Sequence, residues 1–321
     1  QMRAILVSRL IVVVLLAVAF AVPVSGVAAQ ATPDSGAPNP FADLGLPQLD
    51  ITVTGSAFEG VPSELAAGRY VIALTNATDD GFSGGGAFLQ VPEGMTTDEF
   101  IAFVSPSDES TSAEVVEASP VAGEMGPPDW YYETMVAGGP YAPGGGIAYA
   151  VVELTAGEWV FWAEYPGAPQ PPVPVVVTGD LPADLPTPVA DVTIEMSEFA
   201  FGMSGPIAAG PQVIELANAG EQPHFLAVIG VPPGTTVDDI LALAQMESEA
   251  GDVPVASPTD EGLSFDDIVD AFGTGDQSAG VTAWYAIDLA PGTYAAVCFV
   301  TDPETGEEHV MLGMVEVFDV E

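Results

Sequence analysis

Val213-Ile214-Glu215-Leu216-Ala217-Asn218-Ala219 occurs a second time, with small changes, as Val71-Ile72-Ala73-Leu74-Thr75-Asn76-Ala77. Both runs are short, rich in β-branched and aliphatic residues, and preceded by a glycine, which is how strands of an all-β protein read. The match extends in both directions. Upstream, Ile51-Thr52-Val53 parallels Val192-Thr193-Ile194 and Ala66-Ala67-Gly68 parallels Ala208-Ala209-Gly210; downstream, Val91-Pro92-Glu93-Gly94 parallels Val231-Pro232-Pro233-Gly234 and Leu154-Thr155-Ala156-Gly157-Glu158-Trp159 parallels Leu289-Ala290-Pro291-Gly292-Thr293-Tyr294. Near-constant spacing of these matches points to a duplicated unit. The expected fold is therefore all-β, two tandem Greek-key sandwiches, each long enough to bury a core.

Around this repeat the chain divides by composition. Arg3 and Arg9 flank a basic start, and Leu10 to Val22 is almost wholly apolar. That is the layout of a secretory signal, with Val27-Ala28-Ala29 as small residues for cleavage, so residues 1–29 are expected to direct export. The apolar run is shorter than the roughly 20 residues of a spanning helix, though an uncleaved anchor stays open. Residues 30–49, rich in Pro, Ala and Gly, read as a flexible spacer. The first sandwich is expected over 50–178, a Pro-rich linker over 179–190 and the second sandwich over 191–321. Two helical inserts are expected in the second, opened by Thr236-Val237-Asp238-Asp239 and by Ser264-Phe265-Asp266-Asp267, the latter ending near Gly273. Their acids are assigned to the positive ends of these helices.

The chain carries 46 acidic residues, none before Asp34, and after the signal its only Lys or Arg is Arg69. Such a surface repels phosphate backbones and anionic lipid, which disfavours nucleic acid and electrostatic membrane docking. A basic protein partner and plain solubility explain the charge equally well. No span is expected in the mature chain, and its oligomeric state is open. A single cysteine, Cys298, rules out an internal disulfide.

Both histidines and the cysteine fall in the second half, as His224, Cys298 and His309, with Met314 close behind. Thiolate, two imidazoles and a weak thioether are the donor set that suits copper cycling between Cu(I) and Cu(II). Each residue alone has a plainer role: Cys298 and Met314 as core, His224 and His309 as turn or surface residues. Their joint placement at strand ends around one loop argues for a metal site. Aligned through the shared turns, His224 corresponds to Gly84 and Cys298 to Ala163, so the first sandwich is expected to hold no metal.

Asn218-Ala219-Gly220-Glu221-Gln222-Pro223-His224, then Cys298, then His309-Val310-Met311-Leu312-Gly313-Met314 before a last strand, resembles the plastocyanin and azurin family of cupredoxins. The likeness covers residues 191–321. It implies His224, Cys298 and His309 as equatorial ligands and Met314 as the axial ligand of one type 1 copper ion, with Met311 as the competing sulfur donor. It also implies one-electron transfer to a redox partner, with the ring edge of His309 as electron port. Ten residues separate Cys298 from His309, a longer loop than small blue copper proteins have, and Phe225 stands where the family commonly has Asn. Copper storage or delivery, and a metal-free surface interaction protein, are the alternative functions. Multicopper chemistry needs more histidines, and no Gly-x-Ser-x-Gly turn is present, so the chain is expected not to be an enzyme.

Overall fold

A computed structural model describes residues 38–78, 83–104, 127–163, 170–250 and 263–321, the side chains of 247–250 excepted. The expected export signal lies outside these residues. Among them, no helix is long and apolar enough to cross a membrane.

The two halves are built alike. In the first, the strand Gln48–Val53 pairs parallel with Gly68–Asn76, which pairs antiparallel with Ile147–Leu154. In the second, Val192–Ser197 pairs parallel with Gly210–Asn218, which pairs antiparallel with Thr282–Leu289. Each half faces a further four-stranded sheet. These sheets run Glu64–Ala66, Val173–Thr178, Gly157–Trp162, Ala87–Gln90 in the first half and Val269–Gly273, Ala227–Val231, Gly292–Val297, Val315–Val320 in the second. Alternating burial, such as that of Val192, Ile194 and Met196 along one strand, sends one face of each sheet into a common core. The expected pair of β-sandwiches is what forms.

Strand pairing places Ile51 beside Leu74, and Ile194 beside Leu216. Ile51 is thus the counterpart of Ile194 rather than of Val192. The offset is even, so the same face stays buried.

The halves are not beads on a string. Thr282–Leu289 pairs with Ile147–Leu154 through Trp284↔Val151 and Tyr285↔Ala150, which fuses the two sheets into one of eight strands. Arg69 reinforces the seam: its Nε meets Glu153 at 3.0 Å, its Nη1 donates to Thr187 Oγ1 at 2.8 Å, and its guanidinium lies 5.0 Å from the Trp284 ring. Arg69, the one arginine among the described residues, thus ties the first sandwich to the 179–190 stretch and to the second sandwich.

Two expectations change. The spacer does not extend to residue 49, because Phe41 is 1% exposed and packs with Val71, Val151 and Trp284, and a strand begins at Gln48. Apolar residues within a Pro- and Ala-rich stretch cover the seam. The second helical insert is only a 3-10 turn, Phe265–Asp267, followed by the strand Val269–Gly273. Ser264 and Asp267 do cap that turn, but the residues after it satisfy the open edge of Ala227–Val231. The first insert is the helix Val237–Ala250, with Asp239 accepting from Thr236 N at 2.8 Å.

Candidate metal centre

His224 follows the strand Gly210–Asn218 through a turn held by Asn218. The Asn218 Nδ2 donates to the carbonyls of Gln222 and Gln277, each at 2.7 Å. His224 and Gln277 then exchange backbone hydrogen bonds of 3.0 and 2.8 Å. Cys298 lies just past Gly292–Val297, and its N–H donates to the Met314 carbonyl at 3.3 Å; Met314 N–H in turn donates to His309 O at 2.8 Å. Backbone alone therefore ties Cys298, His309 and Met314 into one corner.

The side chains converge there. His224, Cys298, His309 and Met314 are each 0% exposed. The two Nδ1 atoms stand 3.0 Å apart, and Cys298 Sγ is 3.7 Å from His309 Nδ1. All three donor atoms lie within 4.8 Å of one another. Bonds of about 2.0 Å to nitrogen and about 2.3 Å to sulfur, typical of a first-row ion, fit such separations. Met314 shares its apolar cluster with Cys298, whereas Met311 packs on a separate cluster with Ile229, Ala295 and Val297.

Outer contacts set which nitrogen of each ring is free. His309 Nε2 is 2.9 Å from Gln222 Oε1, and Gln222 Nε2 donates to Asp302 Oδ1 at 2.7 Å, so the amide presents its oxygen and His309 donates. His224 Nε2 faces Glu198 Oε1 at 3.5 Å. With His224 also protonated at Nε2, both Nδ1 atoms would direct lone pairs at one another and at the sulfur. Two lone pairs facing at hydrogen-bond distance repel unless a cation or a proton lies between them. Burial, then the neighbouring His224, holds His309 down to about 4, and burial holds His224 below its usual value despite Glu198. A second proton is thus disfavoured on either ring at neutral pH, so both imidazoles are neutral, and a soft cation suits the site.

Burial pushes the Cys298 thiol up to about 12, against hydrogen bonds to it from the backbone of Phe225 and Val300. Those amides supply the support that Phe225 cannot give as a side chain. A metal arriving here displaces the thiol proton.

The structure corrects one site expectation: the His309 ring edge is not an open port. The ring is buried under Gln222, with Phe199 edge-on at 5.0 Å. The long loop is the cause, since it supplies Asp302, braced by Thr305 Oγ1 at 2.7 Å, to hold Gln222 in place. Glu198, Phe199, Gln222 and Asp302 were missed by motif reading. Their one legible signal is Phe199, a bulky residue in a two-residue hairpin turn.

In the first sandwich the matching positions carry no donor side chains. Asn76 Nδ2 donates to Ala142 O at 3.1 Å, as Asn218 does to Gln277, and Gly84 pairs with Ala142 as His224 pairs with Gln277. A Cβ on Gly84 would lie 2.8 Å from Asn76 Nδ2, so a side chain at that position requires Asn76 to shift. Ala163, in the place of Cys298, is buried and carries no donor.

No family model and no curated protein matches the chain. Among solved structures it is similar to the dithionite-reduced auracyanin of Roseiflexus castenholzii, with 19% identity over 40% of this chain and 94% of that one, at a TM-score of 0.25. It is also similar to a multicopper oxidase, with 11% identity over 86% and 89% of the two chains and a TM-score of 0.22. The copper nitrite reductase of Nitrosomonas europaea gives 10%, 85% and 93%, and a TM-score of 0.20. These comparisons correct the expectation of a non-enzyme, because oxidases and reductases stand among the similar structures.

Proposed function

We propose that the protein is an exported copper protein in which His224, Cys298, His309 and Met314 hold one type 1 copper ion for one-electron transfer. The observation that carries this reading is the pair of Nδ1 atoms 3.0 Å apart beside a buried thiol, with both Nε2 atoms turned toward oxygen acceptors. Bound there, copper supplies a one-electron couple between Cu(I) and Cu(II). The protein's residues do the rest. Gln222 and Asp302 orient His309, the Phe225 and Val300 amides would stabilise the thiolate, and the sandwich core packs against Cys298 and Met314. Met314, rather than Met311, would supply the thioether, since it shares the apolar cluster of Cys298. Partly buried Phe199 and Gln222 cover His309, and a redox partner, basic by charge complementarity, approaches over them.

The test is the visible absorption spectrum of the purified protein after addition of Cu(II), compared with Cys298→Ser. An intense thiolate-to-copper band that vanishes in the variant supports the proposal. Failure of the wild type to bind either copper state overturns it. Tight Cu(I) binding without the band turns the assignment to storage or delivery.

A further inference from the structure

The hairpin turn between Val192–Ser197 and Ala200–Met203 consists of two residues, Glu198 and Phe199, since Ser197 pairs with Ala200. Phe199 has φ +62°, the one positive φ outside glycine among the described residues. Left-handed backbone is strained for a bulky side chain, and where such strain persists the surroundings must enforce it. Both turn side chains reach the donor set. Phe199 sits edge-on to His309 at 5.0 Å, and Glu198 faces His224 Nε2 at 3.5 Å. Glu198 is fixed independently by the backbone N–H groups of Glu221 and Gln222, the residues just before His224. His224 Nε2 is shut from water and makes no hydrogen bond in this geometry, with the Glu198 carboxylate facing it at 3.5 Å.

The other sandwich supplies a control. Val53 pairs with Asn76 as Met196 pairs with Asn218, so the corresponding turn is Gly55-Ser56. There the turn needs neither a carboxylate nor a ring, and the copy that lacks donors lacks both. Neither Gly55 nor Ser56 has a positive φ, so closing this hairpin does not by itself require the left-handed backbone that Phe199 adopts.

We propose that the Glu198–Phe199 turn is a non-ligating part of the metal centre: Glu198 holds His224 in its Nε2–H form with Nδ1 free for the metal, and Phe199 seals His309 from water. This rests on the copper assignment above. Carboxylates that accept from the outer nitrogen of a metal-binding histidine raise its basicity and fix its orientation, and their loss costs 10–100-fold in affinity on the general scale of such contacts.

The experiment uses the full chain and two readouts. In the metal-free protein, nitrogen NMR of the His224 ring reports its tautomer. In the copper-loaded protein, competition with a copper chelator reports affinity, with the absorption band alongside. Glu198→Ala is expected to give mixed tautomers and about 10–100-fold weaker copper binding, whereas Glu198→Gln, which keeps an acceptor oxygen, restores both. Phe199→Gly is expected to weaken copper binding and shift the band, and Phe199→Leu, which keeps apolar cover, to do so less. Thermal unfolding of the metal-free variants separates loss of fold from loss of site. Wild-type tautomer, affinity and band in folded Glu198→Ala and Phe199→Gly would overturn the inference while leaving the copper assignment intact. A wild type that takes up no copper would sink the assignment, and this inference with it.

Discussion

The two sandwiches share the order of their matched strands, differing in which edge of the second sheet carries a fourth strand. They also share parallel first pairing and the asparagine that braces the loop, yet only one gathers metal donors. Asn76 and Asn218 make the same side-chain bond to a facing carbonyl, and beside them stand Gly84 in one copy and His224 in the other. The loop strand facing them carries Tyr141-Ala142 in the first copy and Asp276-Gln277 in the second. A shared frame, then, is compatible with a packed apolar corner or with a polar pocket. A few side chains at the strand ends decide between them.

Asp276 is the costliest of these differences. Burial alone raises its carboxyl to about 7, and the residue is 7% exposed. A carboxyl whose folded value exceeds its unfolded value, about 3.9, binds protons more readily when folded. Stability is then full below about pH 4 and falls as pH rises through 7. Three pH units correspond to up to about 4 kcal/mol. Asp276→Asn is therefore expected to leave the metal-free protein unchanged near pH 4 and to raise its melting temperature at pH 8. Parallel pH profiles for the two proteins would show that the carboxyl is not held this way.

Converting the first copy toward the second is expected to fail. Gly84→Ala places a Cβ against Asn76, and overpacking of that kind costs about 1–3 kcal/mol. The doubly changed Gly84→His, Ala163→Cys chain should be less stable still and should bind no second copper ion. A copper stoichiometry of two per chain would mean that the frame around Asn76 yields more readily than its packing indicates.

The two methionines offer a subtler contrast. Leucine is close to methionine in volume, so Met314→Leu and Met311→Leu should each cost less than about 1.5 kcal/mol. Only Met314→Leu should move the reduction potential and the absorption band of the copper-loaded protein. The same shift from Met311→Leu would reassign the axial donor.

The sequence made the sandwich frame legible because strands bounded by Gly and Pro recur at fixed spacing, and it made His224, Cys298, His309 and Met314 legible because donors are rare in this chain. The outer contacts were hidden for a physical reason. Glu198 and Asp302 are two acids among 46, and nothing local distinguishes a carboxylate facing an imidazole from one facing water. Phe41 was hidden by its Pro-rich surroundings, and the strand Val269–Gly273 by a capping pattern that does operate, but for a single turn. Nor does any pattern within one copy announce a sheet fused across two, since Trp284 and Val151 meet only after both halves have folded.

That fusion gives the first sandwich a place at the candidate metal centre. Thr134 to Pro140 runs along Thr274 to Ser278: Ser278 Oγ donates to Thr134 O at 2.7 Å, and Ala137 bridges Gln277, which itself pairs with His224. On the other flank, Tyr132 Oη donates to Thr301 O at 2.7 Å, inside the loop between Cys298 and His309. The first sandwich thus braces the site on both flanks. Tyr132→Phe removes one such brace and keeps the ring, so it is expected to cost about 1 kcal/mol of global stability. A larger share of the effect should fall on the loop. Amide hydrogen exchange within Thr301 to Glu308 should quicken, and copper should leave faster, while exchange in Gly210–Asn218 stays as it was. Uniform acceleration across both sandwiches would instead make Tyr132 a general contributor to stability, with no particular hold on the metal loop.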